Sequence, residues 1–132
     1  TSTKVSKRAR RREVLMVDAW IKEIKSHIDP ELLGMMLIHN GIVRATSKEG
    51  EPVKGMKLSY NKEKLVPFVN ELKSRDGIAD IRVWINEGAL FVGDDIMYLL
   101  VAGRFRTDVL PVLQELLTFI KNYIVEEEEM HN

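Results

Sequence analysis

The chain has 132 residues, one domain's worth, with 45% apolar and 30% charged side chains and no formal net charge, which excludes a wholly disordered, collagen-like or membrane-embedded class. Cysteine is absent, so disulfides, thiolate nucleophiles, cysteine-ligated zinc and iron–sulfur clusters are excluded as well. The longest apolar run, Ile96 to Ala102, has seven residues, against about 20 for a membrane-crossing helix. No apolar segment with a cleavage site follows the basic N-terminal residues, so the expectation is a cytoplasmic protein with no membrane partner. His27, His39 and His131 show neither HxH nor HExxH spacing, and no metal site is expected.

The neutral total hides an asymmetry. Lys4, Lys7, Arg8, Arg10, Arg11 and Arg12 stand in the first twelve residues with no acid among them, which leaves residues 13–132 at a net charge of −6. Near the other end Glu126 to Glu129 form an acidic run. Residues 1–12 read as a flexible basic arm, either simply solvated or meeting phosphates, with nucleic acid the disfavoured partner. Residues 13–125 read as one α+β domain and 126–132 as an acidic tail.

In chain order, Val14, Val17, Ile21, Ile24 and Ile28 recur at helical spacing with Trp20 beside them. Alternatively Val14 to Val17 is a short strand and Asp18 the N-cap of a later helix. Asp29-Pro30 ends the segment. Gly34 to Ala45 carries the apolar run Met35 to Ile38 and reads as a buried strand, ending at Arg44. After the polar turn 47–52, Met56, Leu58 and Tyr60 alternate, and a hairpin with the preceding strand is the simplest reading. Leu65, Phe68, Val69 and Leu72 predict a helix closing near Asp76-Gly77. Ile81, Val83 and Ile85 alternate as a strand expected to pair with Ile96 to Ala102 behind a Gly93-Asp94-Asp95 turn. Val109, Val112, Leu113, Leu116, Leu117, Ile120 and Ile124 then trace a long C-terminal helix, capped by Thr107 or Asp108. The order α, β, β, α, β, β, α predicts helices packed on a mainly antiparallel sheet.

Neither GxGxxG nor GxxxxGK[ST] is present, so dinucleotide and P-loop sites are not indicated. What remains is a set of cations at element ends: Arg44 after the first strand, Arg104 and Arg106 before the last helix, and Lys121 within it. Arginines so placed can clamp a phosphate, and a lysine among other cations can act as an acid or base. On composition and spacing alone, a plain surface charge is the simpler reading of each, with Lys121 favourable near a helix C-terminus.

These residues carry a family resemblance. Gly34 through a hydrophobic strand into Gly41-Ile42-Val43-Arg44 resembles the GAvvtFxGxVR strand of the molybdopterin synthase catalytic (large) subunit. Gly88-Ala89-Leu90-Phe91-Val92-Gly93-Asp94-Asp95 resembles that family's glycine-leucine turn into a glycine-acid hairpin. Arg106 stands where the family has a His-Arg pair, and Lys121 where it has a leucine-lysine step. The match runs from Gly34 to Lys121, about two thirds of the chain.

The resemblance implies an α/β hammerhead-like fold and a part in molybdenum cofactor biosynthesis. The reaction would be conversion of precursor Z, cyclic pyranopterin monophosphate, to molybdopterin. Sulfur would come from a ubiquitin-like small subunit with a thiocarboxylated C-terminal Gly-Gly, and the large subunits would form a homodimer. The pterin would be substrate, with no permanently bound cofactor. By the same carry-over Arg44 and Arg106, with Arg104 beside it, would bind the substrate, and Lys121 would be the catalytic lysine. The chain departs from the pattern where Ile85-Asn86 replaces one His-Arg pair, where Phe105 replaces the histidine before Arg106, and where Glu128 replaces a second lysine. A non-catalytic protein-binding module on the same fold is the competing reading.

Overall fold

The computed structural model describes residues 7–131, with side chains from Met16 onward. It contains α1 (Lys7–His27), β1 (Met35–Ile42), β2 (Gly55–Tyr60), α2 (Lys62–Lys73), β3 (Ile78–Ile85), β4 (Gly88–Phe91), β5 (Asp95–Gly103), α3 (Arg106–Phe119), a π-helical turn (Ile120–Ile124) and β6 (Val125–Met130). The strands form two antiparallel three-stranded sheets, ordered β1-β5-β3 and β4-β2-β6. The architecture is α+β, as the order of elements predicts.

β5 organises the first sheet. Met97 to Gly103 is buried without interruption, so this strand needs a neighbour on each edge and cover on each face. β1 and β3 supply the edges, and the expected pairing of β3 with β5 is present, with Val83 opposite Leu99 and Ile85 opposite Met97. One face packs Leu99 and Val101 into the main core with Leu65 and Leu72 of α2 and Val109, Val112 and Leu116 of α3. The other face places Leu100 and Ala102 against Ile24, Trp20, Ile21 and Ile28 of α1. Helix spacing over Val17 to Ile28 thus buries one stripe, and the alternative of a strand over Val14 to Val17 is replaced by one continuous helix.

The expected hairpin of β1 with β2 does not form. β1 lies along β5, from Met35 opposite Gly103 to Ile42 opposite Asp95, whereas β2 pairs with β4 and β6. β2 buries only Met56 and Leu58 on one face, which suits a sheet that closes over the core from the side. The polar stretch between them crosses from one sheet to the other. It turns where the Gly50 N–H donates to the Ser47 carbonyl at 3.0 Å and Gly50 takes φ +87°, a conformation glycine adopts without strain.

Both charged ends differ from expectation. Residues 1–6 of the expected basic arm lie outside the described residues, and its other half opens α1 at Lys7; lysine, arginine and alanine favour helix, so nothing local stops the helix at Glu13. The expected acidic tail is strand β6, paired with β2 from Val125 opposite Tyr60 to Met130 opposite Gly55. Without it the β2 edge would leave its backbone groups unpaired.

Candidate functional site

Arg44 extends from the end of β1 just past a bulge at Gly41/Ile42. The backbone there is anchored: the Val43 N–H donates to the Asp94 carbonyl and the Gly93 N–H to the Val43 carbonyl, both at 2.9 Å, and the Val43 side chain is buried. The Arg44 Nε–H donates to the Thr46 carbonyl at 2.8 Å, which orients the guanidinium along the crossing loop. The Gly93-Asp94-Asp95 turn thus fixes where Arg44 starts.

Lys121 lies in the π-helical turn that follows α3. There the Val125 N–H donates to the Ile120 carbonyl, five residues back, so the helix widens before giving way to β6; such turns recur at functional sites. Ile120 and Ile124 remain buried on either side and hold Lys121 at the surface between them.

Arg44 and Lys121 meet in one cavity of about 300 Å³, with Lys48 on its rim and Ile42, Met56 and Ile96 as apolar wall. Glu127 and Glu129 complete the lining. Their orientation follows from register: they stand opposite Leu58 and Met56, whose side chains are buried, and directly opposed residues share a face. Glu128, opposite exposed Lys57, points to the outer surface. The carboxylates at the cavity are therefore the two that flank the position where the family resemblance places a lysine.

His39 also belongs to this neighbourhood. It lies on β1 with Leu37 on the core-facing side, and a side chain added at Gly41 would touch both its Nε2, at 3.7 Å, and the wall residue Ile96, at 3.6 Å. Burial first and the Lys121 charge second push the imidazole below its ordinary value of 6.5.

Arg104 and Arg106 are elsewhere. Because β1 and β5 are antiparallel, Arg104, just past Gly103, lies beside Gly34, while Arg44 lies past the opposite end of β1. Eight residues of strand separate the two ends, roughly 26 Å at 3.3 Å per residue. Arg104 binds Asp76 at 3.4 Å and Asp108 at 3.6 Å and stacks on the Phe105 ring at 5.2 Å. Its N–H donates to the Gly77 carbonyl at 2.9 Å; this arginine ties the turn before β3 to the start of α3. The cap expected from Thr107 or Asp108 is absent: the N-cap is Phe105, which has no side-chain acceptor, and Asp108 instead faces Arg104. Arg106 is exposed. One chain thus unites Arg44 and Lys121 and leaves Arg104 and Arg106 apart.

Sequence reasoning passed over Lys48, Glu127, Glu129 and His39 as site residues. The period-two signal that would have revealed β6 was masked by four identical glutamates in a row, and Lys48 and His39 carry no local motif.

The chain is similar to one protein family, to an uncharacterized relative and to several solved structures. A profile of the MoaE protein family matches residues 11–123. An uncharacterized protein of Methanocaldococcus jannaschii is 33% identical over 94 residues, covering 68% of this chain and 79% of that protein. Among solved structures, molybdopterin synthase from Staphylococcus aureus superposes with a TM-score of 0.70 at 17% identity, covering 85% of this chain and 84% of the other. A complex of subunits 1 and 2 of the molybdopterin-converting factor from Helicobacter pylori gives 0.69 at 17% identity, covering 92% and 80%. At such identities the superpositions establish the fold.

Proposed function

The chain belongs to the MoaE family, a family of molybdenum cofactor biosynthesis, and from that premise we propose that it is a molybdopterin synthase large subunit. It converts precursor Z to molybdopterin in the cytoplasm, with sulfur from the thiocarboxylated Gly-Gly terminus of a ubiquitin-like small subunit. The pterin is substrate and no resident cofactor is needed. The observation that carries this reading is the meeting of Arg44 and Lys121 in one cavity although 77 positions separate them in sequence.

In this reading Arg44, a planar guanidinium held by the Thr46 carbonyl, binds the substrate phosphate through paired N–H donors. The thiocarboxylate sulfur attacks a side-chain carbon of the substrate and displaces an oxygen of its cyclic phosphate. Lys121 stabilises the negative charge that develops on that oxygen and gives it a proton from its ammonium, and water then hydrolyses the thioester to release the small subunit. Arg104 and Arg106 cannot reach that cavity in their own chain. A homodimer in which the Arg106 end of one copy meets the Arg44 end of the other would bring Arg106 to the substrate, while Arg104 supports the loop that presents it.

The reading is tested by reconstitution: purified protein, thiocarboxylated small subunit from the same cell and precursor Z, with molybdopterin measured directly. Product supports the synthase. A tight small-subunit complex without product supports the second reading, a protein-binding module that retains the fold. That alternative is favoured by one observation, the two carboxylates where an anionic substrate would prefer cations.

A further inference from the structure

Five charged side chains line the cavity, and among the described residues no ion pair joins its cations to its acids. Arg44 and Lys48 stand beyond the end of β1, Lys121 in the π-helical turn, and Glu127 and Glu129 on β6. Among the described residues the ion-pair partner of Glu129 is His131, at 3.9 Å, which does not line the cavity, and Glu127 has no ion-pair partner. Among the described residues the Arg44 side chain is engaged by the Thr46 carbonyl. Charges that could neutralise one another across a cavity, but stand too far apart to do so, are available to a ligand that spans the gap.

Charge alone narrows that ligand. A purely anionic molecule would face two carboxylates, and a cation would face three basic groups; like-charge contacts of this kind are strongly disfavoured. A molecule with an anionic group at one end and N–H donors at the other satisfies both walls. The apolar wall of Ile42, Met56 and Ile96 suits a flat ring between the ends, and about 300 Å³ is at the small end of the range for ligand pockets.

We propose that Glu127 and Glu129 accept hydrogen bonds from the N–H donors of the substrate's aminopyrimidine ring, while Arg44 and Lys48 hold its phosphate and Lys121 stands at the reacting centre. This rests on the reading of the cavity as a pterin phosphate site and adds its specificity-determining residues. A carboxylate is acceptor-only and presents two oxygens side by side, matching the adjacent amino and ring N–H groups of a 2-amino-4-oxopyrimidine as it matches a guanidinium fork. β6 pairing fixes the inward direction of both glutamates, so the acidic run acts as a recognition wall. The contacts would orient the ring without taking part in sulfur transfer.

The test is calorimetric titration of the full chain with two probes, a pterin monophosphate and inorganic phosphate. Wild-type protein should bind the pterin monophosphate more tightly. The Glu127→Gln/Glu129→Gln variant should lose about 10- to 100-fold in pterin monophosphate affinity, the worth of hydrogen bonds to charged groups, while its phosphate affinity stays or rises. Retained phosphate binding doubles as the check that the variant is folded, and Glu128→Gln, on the outer face, should leave both affinities unchanged. A wild-type preference for the pterin that survives in the double variant overturns the inference and leaves the synthase reading intact. Equal wild-type affinity for the two probes overturns the inference together with the reading beneath it.

Discussion

On β1, His39 feels the Lys121 charge from a half-buried position, and burial together with that charge holds its imidazole below 6.5. Because the unfolded chain then binds the proton more readily, this group's contribution to stability is lost as pH falls from 6.5 toward the lowered value. Replacing Lys121 by methionine should raise the His39 value part of the way back, since burial, the larger cause, remains. An NMR titration of the ring would read the shift, and an unchanged value would separate the two residues. Asp80 has the opposite sense. Burial pushes its carboxyl up, but hydrogen bonds from Arg82 and from the Ile81 N–H, with Lys73 nearby, outweigh burial and hold it below the usual 3.8. Its stabilisation is present above 3.8 and lost as pH falls through the lowered value. Asp80→Asn should cost about 1 kcal/mol at pH 7, allowing for screening at the part-exposed Arg82, and nothing once Asp80 is protonated. Urea unfolding at the two pH values measures the difference.

The elements differ in how openly the sequence announced them. Helical stripes over Val17 to Ile28 and Val109 to Ile124 and the alternation of Ile81, Val83 and Ile85 were readable because each buries one face against a single core, and periodicity encodes that directly. β6 was not, since glutamate is disfavoured in strands and only pairing with β2 makes it one. The pairing of β1 with β5 was hidden for a related reason: adjacency in sequence suggested a hairpin, whereas the unbroken burial of β5 required two neighbours. Two measurements follow from these elements. Truncation after Val125 should cost roughly 2 to 4 kcal/mol through the lost ladder to β2 and expose an edge prone to association, readable by thermal unfolding and light scattering. Leu99→Ala, at a side chain with no exposure, should cost about 2 to 5 kcal/mol; a smaller loss would mean that the core around β5 collapses to fill the space.

For the whole molecule, the candidate site was half legible. Arg44, Arg104, Arg106 and Lys121 stood out as candidates, as cations at element ends and through the family resemblance, but sequence could not say that the antiparallel register of β1 and β5 puts Arg104 and Arg106 far from the other two. If the dimer supplies Arg106 from a second copy, two inactive variants should complement. Each dimer of Lys121→Ala with Arg106→Ala contains one intact and one doubly damaged site, and random mixing makes half of all dimers mixed, so about a quarter of wild-type turnover should return. No recovery after subunit exchange would place Arg106 outside the site.

The central assignment is that Lys121, raised beside Arg44 by the π-helical turn, does the chemistry of sulfur transfer. The most direct measurement is molybdopterin formation by the Lys121→Ala variant in the reconstituted system, beside wild type and with its fold verified by thermal unfolding. The expected result is loss of product by at least about 100-fold, the lower bound for a positioned acid–base group, with an unchanged melting profile. Turnover retained at the wild-type rate would contradict the assignment and leave the cavity a binding site without this catalyst.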